Sequence, residues 1–428
     1  MVTDIIEEGK NRGFPAIEAT VENIKKSDYL MPGGESLLQH DSALKRAFCR
    51  AFYNTGDPVS FTLSLNDKRS VHSAFASVLK AVPVSGEKNF GHMIPGTAKK
   101  SGINIFDANI VNIGEKEFTG ISDILEEGVL NFPGMRLESV KLSKWQKKTY
   151  LSNSAGLNSK YRKTLFHLSV KFSLKGNYIE LGDSRTFFDQ LDPDRLVSRG
   201  FRLLDSLTDK KALFNKYCSL IISPEASATL LRIFSKGFLP GGAKDAGKVN
   251  FPRVLNISDD IFLDKGTASV PFDDEGVQSG ETFLIKKGSY ISPVTDLKSA
   301  FENGLQPTGN GFRRGDSVSA SFSNLFIKPT ILGVKNLLNE YDEGIMVSLI
   351  KLKLAENGNY LFSAYGYKYR DGERGEAVHF YFSTTFLSYF LNIQKISKEM
   401  RFFHSGFSVG SPYILLRAKH KSGDLLVI

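Results

Sequence analysis

The sequence predicts an α+β protein, with an α/β N-terminal domain followed by a mostly antiparallel β C-terminal domain. Three observations carry that expectation. Runs in which apolar and polar residues alternate dominate the chain, and the recognisable helix starts lie before about residue 235. Beyond that point the apolar runs are short and broken by Gly, Pro and Asp, the punctuation of a strand-rich domain. At roughly 150 residues per domain, 428 residues suit two or three domains. We divide the chain at residues 1–212 and 213–428, with Thr208-Asp209-Lys210-Lys211 as the junction.

Taken in order, a helix is expected over about residues 35 to 53, burying Leu37, Leu44, Phe48 and Phe52 and enclosing Cys49 as a packed thiol. Val59, Phe61, Leu63 and Leu65 alternate with Ser60, Thr62, Ser64 and Asn66, a half-buried strand. Phe166, Leu168, Val170, Phe172 and Leu174 alternate with His167, Ser169, Lys171 and Ser173 in the same way. Asp192-Pro193 opens a helix with Val197, Phe201, Leu204 and Leu207 on one face. Ser223-Pro224-Glu225 opens another, combining a cap, a first-turn proline and an acid at the positive end of the helix, with Ala226, Leu230 and Phe234 buried. Val378, Phe380 and Phe382 alternate with His379, Tyr381 and Ser383 in a late strand. The 33 phenylalanines suit pleated, half-buried surfaces.

Composition narrows the classes. A hydrophobic fraction of 41% excludes a disordered, collagenous or coiled-coil chain. The net charge of +9 is dispersed and mild; it permits an anionic partner without requiring one. Cys49 and Cys218 form no CxxC, which fits a reducing cytoplasm. The acidic first ten residues lack the pattern of a signal peptide, and Val378 to Leu391 is too short and too polar to span a bilayer. A cytoplasmic protein without membrane contact is the expectation.

Local motifs exclude more than they reveal. Gly242-Ala243-Lys244-Asp245-Ala246-Gly247-Lys248 has phosphate-loop spacing, but Val249 stands where a hydroxyl should, and proline-bearing segments replace the flanking strand and helix. Gly406-Phe407-Ser408-Val409-Gly410 matches a hydrolase elbow, but it leads into a strand and is followed by His420 then Asp424, the reverse of the required order. It reads as a turn between strands. Gly309-Asn310-Gly311 starts like a dinucleotide fingerprint but continues with Arg314, and its third glycine comes late, at Gly315. None of His40, His72, His92, His167, His379, His404 and His420 pairs with another at metal-ligand spacing, so no metal site is expected in this chain. Six carboxylates, Asp259, Asp260, Asp264, Asp273, Asp274 and Glu275, fall within 17 residues. They can bind a hard cation or act as an acid/base pair. The structural alternative has them capping turns and pairing with Arg253, Arg313 or Arg314.

Ser269-Val270-Pro271-Phe272-Asp273-Asp274-Glu275-Gly276, followed by Thr282 to Gly288, resembles the signature of the TldD/PmbA family of peptide-maturation proteases and their partners. Other pieces agree in order: Asn153 to Leu157, Leu220 to Ala226, Thr308-Gly309-Asn310-Gly311, Ser323 to Leu325, Gly358 to Tyr360 and Gly366-Tyr367. The resemblance covers about residues 150 to 428. It implies the two-domain fold above and dimers enclosing a chamber that only unfolded peptides enter. It further implies a helix after Ser223 that carries H-E-x3-H in catalytic members, together with a cysteine ligand near the C-terminus. Here Arg232, Ile233 and Gly237 stand at the motif positions, and neither cysteine is near the C-terminus. The chain therefore resembles the metal-free PmbA (TldE) branch. By that resemblance it is a non-catalytic subunit, with zinc in a TldD-like partner and no cofactor of its own. That branch was also named in connection with DNA gyrase, for which the sequence offers no mechanism.

Asp273, Asp274, Glu275 and Gly276 are thus expected to be structural or to bind peptide, with Thr308 to Gly311 as a family glycine turn. Two other readings stay open: an autonomous hydrolase using the acidic cluster with a divalent ion, and a basic binder of nucleic acid or another anion. A dimer is expected to bury well over about 1,000 Å², with a TldD-like partner preferred over a second copy. The runs Val378 to Phe390 and Tyr413 to Ile428 are the candidate surfaces.

Overall fold

A computed structural model describes residues 2–33, 37–52, 58–65, 73, 93–96, 102–208, 217–242, 245–340, 343–422 and 425–428. Asp209 to Lys211 of the expected junction, His72, His92 and Asp424 lie outside the described residues.

One antiparallel sheet organises the N-terminal part. Its strands are β1 (Ala16–Pro32), β2 (Leu38–Phe52), β3 (Val59–Ser64), β4 (Met135–Asn153), β5 (Asn158–Leu174) and β6 (Asn177–Arg185), in the order β3-β2-β1-β4-β5-β6. Helices α1 (Val2–Asn11), α2 (Ala108–Asn112), α3 (Glu115–Leu130) and α4 (Pro193–Asp205) pack against it. Alternation does what it promises on β5, where Phe166, Leu168, Val170 and Phe172 are buried against α3 and α4. Helix α4 starts as its sequence dictates, with the Asp192 carboxylate accepting from the Arg195 N–H and Pro193 in the first turn.

The helix expected over residues 35 to 53 is instead strand β2. Leu37, Leu44, Phe48 and Phe52 mimic a helical stripe, but the burial of this strand changes along its length rather than by face. Residues 38–44 are exposed, Leu44 among them at 44%, whereas Ala47 to Phe52 are all buried. A strand solvated at one end and covered on both faces at the other shows no period of two, so its pattern misleads. Cys49 is a packed thiol even so, and burial pushes its pKa up to about 12.

The C-terminal part holds β7 (Tyr217–Ile222), α5 (Pro224–Phe234), β8 (Ile257–Asp260), β9 (Glu281–Lys286), β10 (Ser289–Tyr290), α6 (Leu297–Glu302), β11 (Gly311–Arg314), β12 (Ser317–Ala320) and β13 (Asn324–Ile327). It continues with α7 (Val334–Leu338), β14 (Glu343–Glu356), β15 (Asn359–Arg370), β16 (Glu373–Thr385), α8 (Phe386–Leu391), β17 (Ile393–Ile396), β18 (Arg401–Ser405), β19 (Phe407–Ser411), β20 (Ile414–Ser422) and β21 (Leu425–Val427). Two sheets, ordered β10-β9-β8-β13-β19-β18 and β17-β20-β21-β16-β15-β14-β7, share one large core with α5. Pairing is mostly antiparallel; β13–β19, β14–β7 and β16–β21 run parallel. The Ser223 hydroxyl accepts from the Ala226 N–H, capping α5.

That core takes up one face of the runs expected to form a dimer surface. Val378, Phe380, Phe382, Tyr389, Phe390, Ile414 and Leu416 lie inside it, while Tyr381 and Val427 on the alternate face are exposed. Among the described residues no helix is long and apolar enough to cross a membrane.

Candidate functional site

The acidic segment folds into a turn whose carboxylates are turned inward. Asp273 Oδ1 accepts the N–H groups of Glu275 (3.0 Å) and Val277 (2.9 Å), while its Oδ2 accepts from Gly311 N (2.8 Å). Asp274 donates its N–H to the Gly311 carbonyl (2.9 Å) and accepts from Arg313 N at Oδ2 (2.8 Å). Glu275 Oε2 accepts the N–H of Leu297, the first residue of α6 (2.8 Å). Gly276 has φ +83°, and the Leu157 side chain fills the space a Cβ would need. Leu157 itself belongs to the turn held by the Asn153 side chain, which accepts from Ala155 N and Leu157 N.

Thr308 to Gly311 complete the same unit from another part of the chain. The Thr308 hydroxyl accepts from Thr295 N (2.7 Å), and Gly309 takes φ +68° with Ser279 Cβ only 2.8 Å from its would-be Cβ. Asn310 Nδ2 donates to Asp259 Oδ2 (2.7 Å) and to the Ser321 carbonyl (2.9 Å). Gly311 must lack a side chain because Glu275 Oε2 occupies that position. Burial pushes Asp259 up to about 6 against the hydrogen bonds of Ser323 and Asn310, and raises Asp273 further with the help of the Glu275 charge.

The guanidinium that answers Glu275 is Arg50, not Arg253, Arg313 or Arg314. Arg50 Nη1 lies 2.7 Å from Glu275 Oε1, and its Nε donates to Glu18 Oε1 at 3.0 Å. All three side chains are almost fully buried, with side-chain exposures of 6% for Arg50, 2% for Glu275 and 1% for Glu18. This bridge ties the first sheet to the acidic turn, and the antiparallel register of β1 and β2 places Glu18 opposite Arg50 and Glu22 opposite Arg46.

Arg232, Ile233 and Gly237, the residues expected at the metal-motif positions, offer no metal donors. Arg232, on α5, donates from Nη1 to the Ser405 carbonyl (2.6 Å) and from Nη2 to those of Phe403 (3.0 Å) and Phe407 (3.2 Å). It lies over the Phe407 ring, and burial lowers its pKa to about 10. Ile233 packs against the C-terminal core, and the ring of Phe386 abuts Gly237. Zinc does not fit this set, and among the described residues no group of three His, Cys, Asp or Glu can hold a metal ion. The serine of the elbow-like segment, Ser408, sits in β19 after the turn at Gly406 (φ +75°).

Between the first sheet and the C-terminal part lies a cavity of about 660 Å³. Lys147, Tyr161 and Lys163 reach it from β4 and β5, Asp274, Arg313 and Arg314 from the acidic and glycine turns, and His404 from β18. Lys163 Nζ donates to the carbonyls of Thr267 (2.7 Å) and Ser269 (2.8 Å), and burial with the Lys147 charge lowers it to about 7. His404 is driven down to about 4 by burial and by the charges of Lys163, Arg232 and His167. None of Lys147, Lys163 and His404 stands out in sequence. Only the register of β4 and β5, which pairs Lys147 with Lys163, brings the two lysines together.

Residues 215–422 match the family described as PmbA/TldA metallopeptidase C-terminal domain. A metalloprotease of Methanothermobacter thermautotrophicus is 30% identical over 128 residues, 29% of this chain and 28% of that protein. A metalloprotease PmbA homolog of Buchnera aphidicola is 28% identical over 125 residues, 29% of this chain and 26% of that protein. The chain thus spans about a quarter of the length of these curated relatives. In fold, TldE from Thermococcus kodakarensis superimposes over 100% of this chain and 99% of its own, with a TM-score of 0.85 at 18% identity. By its sequence, the C-terminal part of this chain (residues 215–422) belongs with the PmbA/TldA metallopeptidase C-terminal domain, and over its whole length the chain shares the fold of TldE.

Proposed function

We propose that the chain is the non-catalytic, TldE-like subunit of a heterodimeric metalloprotease that processes or degrades small unfolded peptides in the cytoplasm. The observation that supports this most is Arg232. A guanidinium bonded to three carbonyls of the β18–β19 hairpin takes the position at which the resemblance expects the first histidine of the zinc motif, on the helix opened by Ser223. The zinc would then belong to a TldD-like partner, and this chain would close the chamber and hold the peptide. The acidic and glycine turns serve that role by fixing the cavity wall, because their carboxylates are engaged internally.

The test is reconstitution. Mixed with a TldD-like zinc homologue from the same source, the chain should sediment as a heterodimer, and peptide hydrolysis should need both chains. Elemental analysis of the chain alone should find no stoichiometric zinc. A stable monomer that ignores the homologue would refute the proposal, as would metal-dependent hydrolysis by the chain alone.

A further inference from the structure

The cavity between the first sheet and the C-terminal part has an unusual charge balance. Four permanent or titratable cations line it, Lys147, Lys163, Arg313 and Arg314, against one carboxylate, Asp274. Lys147 is neutralised by Glu22. Among the described residues, no carboxylate lies within ion-pair distance of the side chains of Lys163, Arg313 or Arg314. Lys163 has only the two neutral carbonyls of Thr267 and Ser269. Arg314 donates to the neutral hydroxyl of Ser321 (2.7 Å).

Three buried donors or acceptors on this wall are also unsatisfied. Arg313 Nη1, His404 Nδ1 and Thr267 Oγ1 are out of contact with solvent and have no hydrogen-bond partner. Arg313 is nonetheless held in place, its guanidinium 4.5 Å from the Phe48 ring centroid and its Nη2 3.5 Å from the Thr20 hydroxyl. Burying a charged or polar group without a partner costs free energy, and native proteins keep few such groups. A fixed guanidinium, a second guanidinium and a lysine bonded only to neutral groups around one cavity are complementary in charge to an oxyanion.

We infer that this cavity receives a peptide through its carboxylate, with Arg313 as the principal ligand and Lys163, Arg314 and His404 supporting it. The inference rests on the peptide-holding role proposed above and adds what the site reads. The volume suits a ligand of a few residues, within the range of roughly 300–1,000 Å³ for small-molecule sites. Trp145, Leu165, Phe272, Phe312 and Phe322 give it apolar walls for side chains. The carboxylate can come from the peptide C-terminus or from an acidic side chain.

Calorimetric titration of the full chain separates these sources with four probes. They are trialanine as the free acid, trialanine amide, N-acetylated and C-amidated Ala-Glu-Ala, and inorganic phosphate. The expected result is that at least one carboxylate-bearing peptide binds tenfold or more tightly than trialanine amide. Arg313→Gln should abolish that preference, and Lys163→Met should reduce it. Preference for trialanine acid identifies the C-terminus as the group read, and preference for Ala-Glu-Ala identifies a side chain. Binding of both carboxylate-bearing peptides no tighter than that of trialanine amide overturns the inference but leaves the peptide-holding role standing. Binding of phosphate alone, or of none of the four, overturns it as well, and the subunit proposal is then decided by reconstitution. The acid–amide comparison uses the unaltered chain, so it holds even if a variant fails to fold.

Discussion

Replacing Arg50 by methionine isolates the energetics of the bridge between the first sheet and the acidic turn. The variant keeps an unbranched apolar stem but leaves Glu18 and Glu275 without their shared cation, both almost fully buried. Removing one partner of a buried ion pair typically costs about 3–5 kcal/mol, because a charge is stranded out of water. At roughly 2–4 °C per kcal/mol for a domain of 150–250 residues, the melting temperature should fall by about 6–20 °C. The loss should depend on pH in a defined direction. Glu18 is already raised by burial despite Arg50, and without Arg50 its folded pKa rises further above that of the unfolded chain. The folded state then binds more protons than the unfolded one, so the deficit of the variant is smallest in acid and grows as pH rises. Combining Arg50→Met with Glu18→Gln and Glu275→Gln removes all three charges and keeps an acceptor for Leu297 N. Stability should return to within about 1–2 kcal/mol of the original, since uncharged replacement of a buried triad is often neutral. Urea unfolding followed by circular dichroism at pH 5 and pH 8 gives the measurement. An Arg50→Met variant within about 1 kcal/mol of the parent refutes the reasoning, as does a triple variant no better than the single one.

Gly311→Ala should destabilise by about 1–3 kcal/mol although its φ is unexceptional, because the new Cβ meets Glu275 Oε2. Gly120→Ala on α3, with open space around the site, should instead gain up to about 1 kcal/mol, and denaturant midpoints compare the two. Lys163 falls to about 7 on folding, so the unfolded chain binds more protons above that pH, and stability should rise from about pH 7 toward pH 10. Lys163→Met should flatten that rise, which is bounded at about 1.4 kcal/mol per pH unit. Arg232→Leu should cost about 1–3 kcal/mol and loosen the β18–β19 hairpin, read as faster amide exchange at residues 403–407. Unchanged exchange there would show that the hairpin does not depend on the guanidinium.

Helix starts and strands with one buried face were legible in both parts because their signals are local. Ser223 and Asp192 cap the helices their sequences announce, and β5 and β16 alternate where one face is buried. The acidic and glycine turns could be located, but their union could not. It depends on Gly311 meeting Asp273, contacts 38 residues apart that no spacing encodes. The reading of β2 as a helix had a further effect. It hid the cross-strand pairs Glu18–Arg50 and Glu22–Arg46, which are evident once the two strands are placed antiparallel. The cavity was illegible for a similar reason. Lys163, Arg313 and His404 are ordinary residues in ordinary strands, and their meeting around one cavity exists only in three dimensions.

The Arg50 bridge also constrains how the protein is made. Arg50 leaves the ribosome early, with Glu18 already present, but Glu275 follows 225 residues later. At about 5–20 residues per second that interval is on the order of tens of seconds. Through it the first sheet is a platform whose inner wall lacks its second carboxylate. Until the acidic turn docks, the nascent sheet lacks the contact between Arg50 and Glu275. A chain that stalls between residues 185 and 275 would present that unfinished surface to chaperones, and a release from them timed to the synthesis of Glu275 would mark the moment the two halves become one cooperative unit.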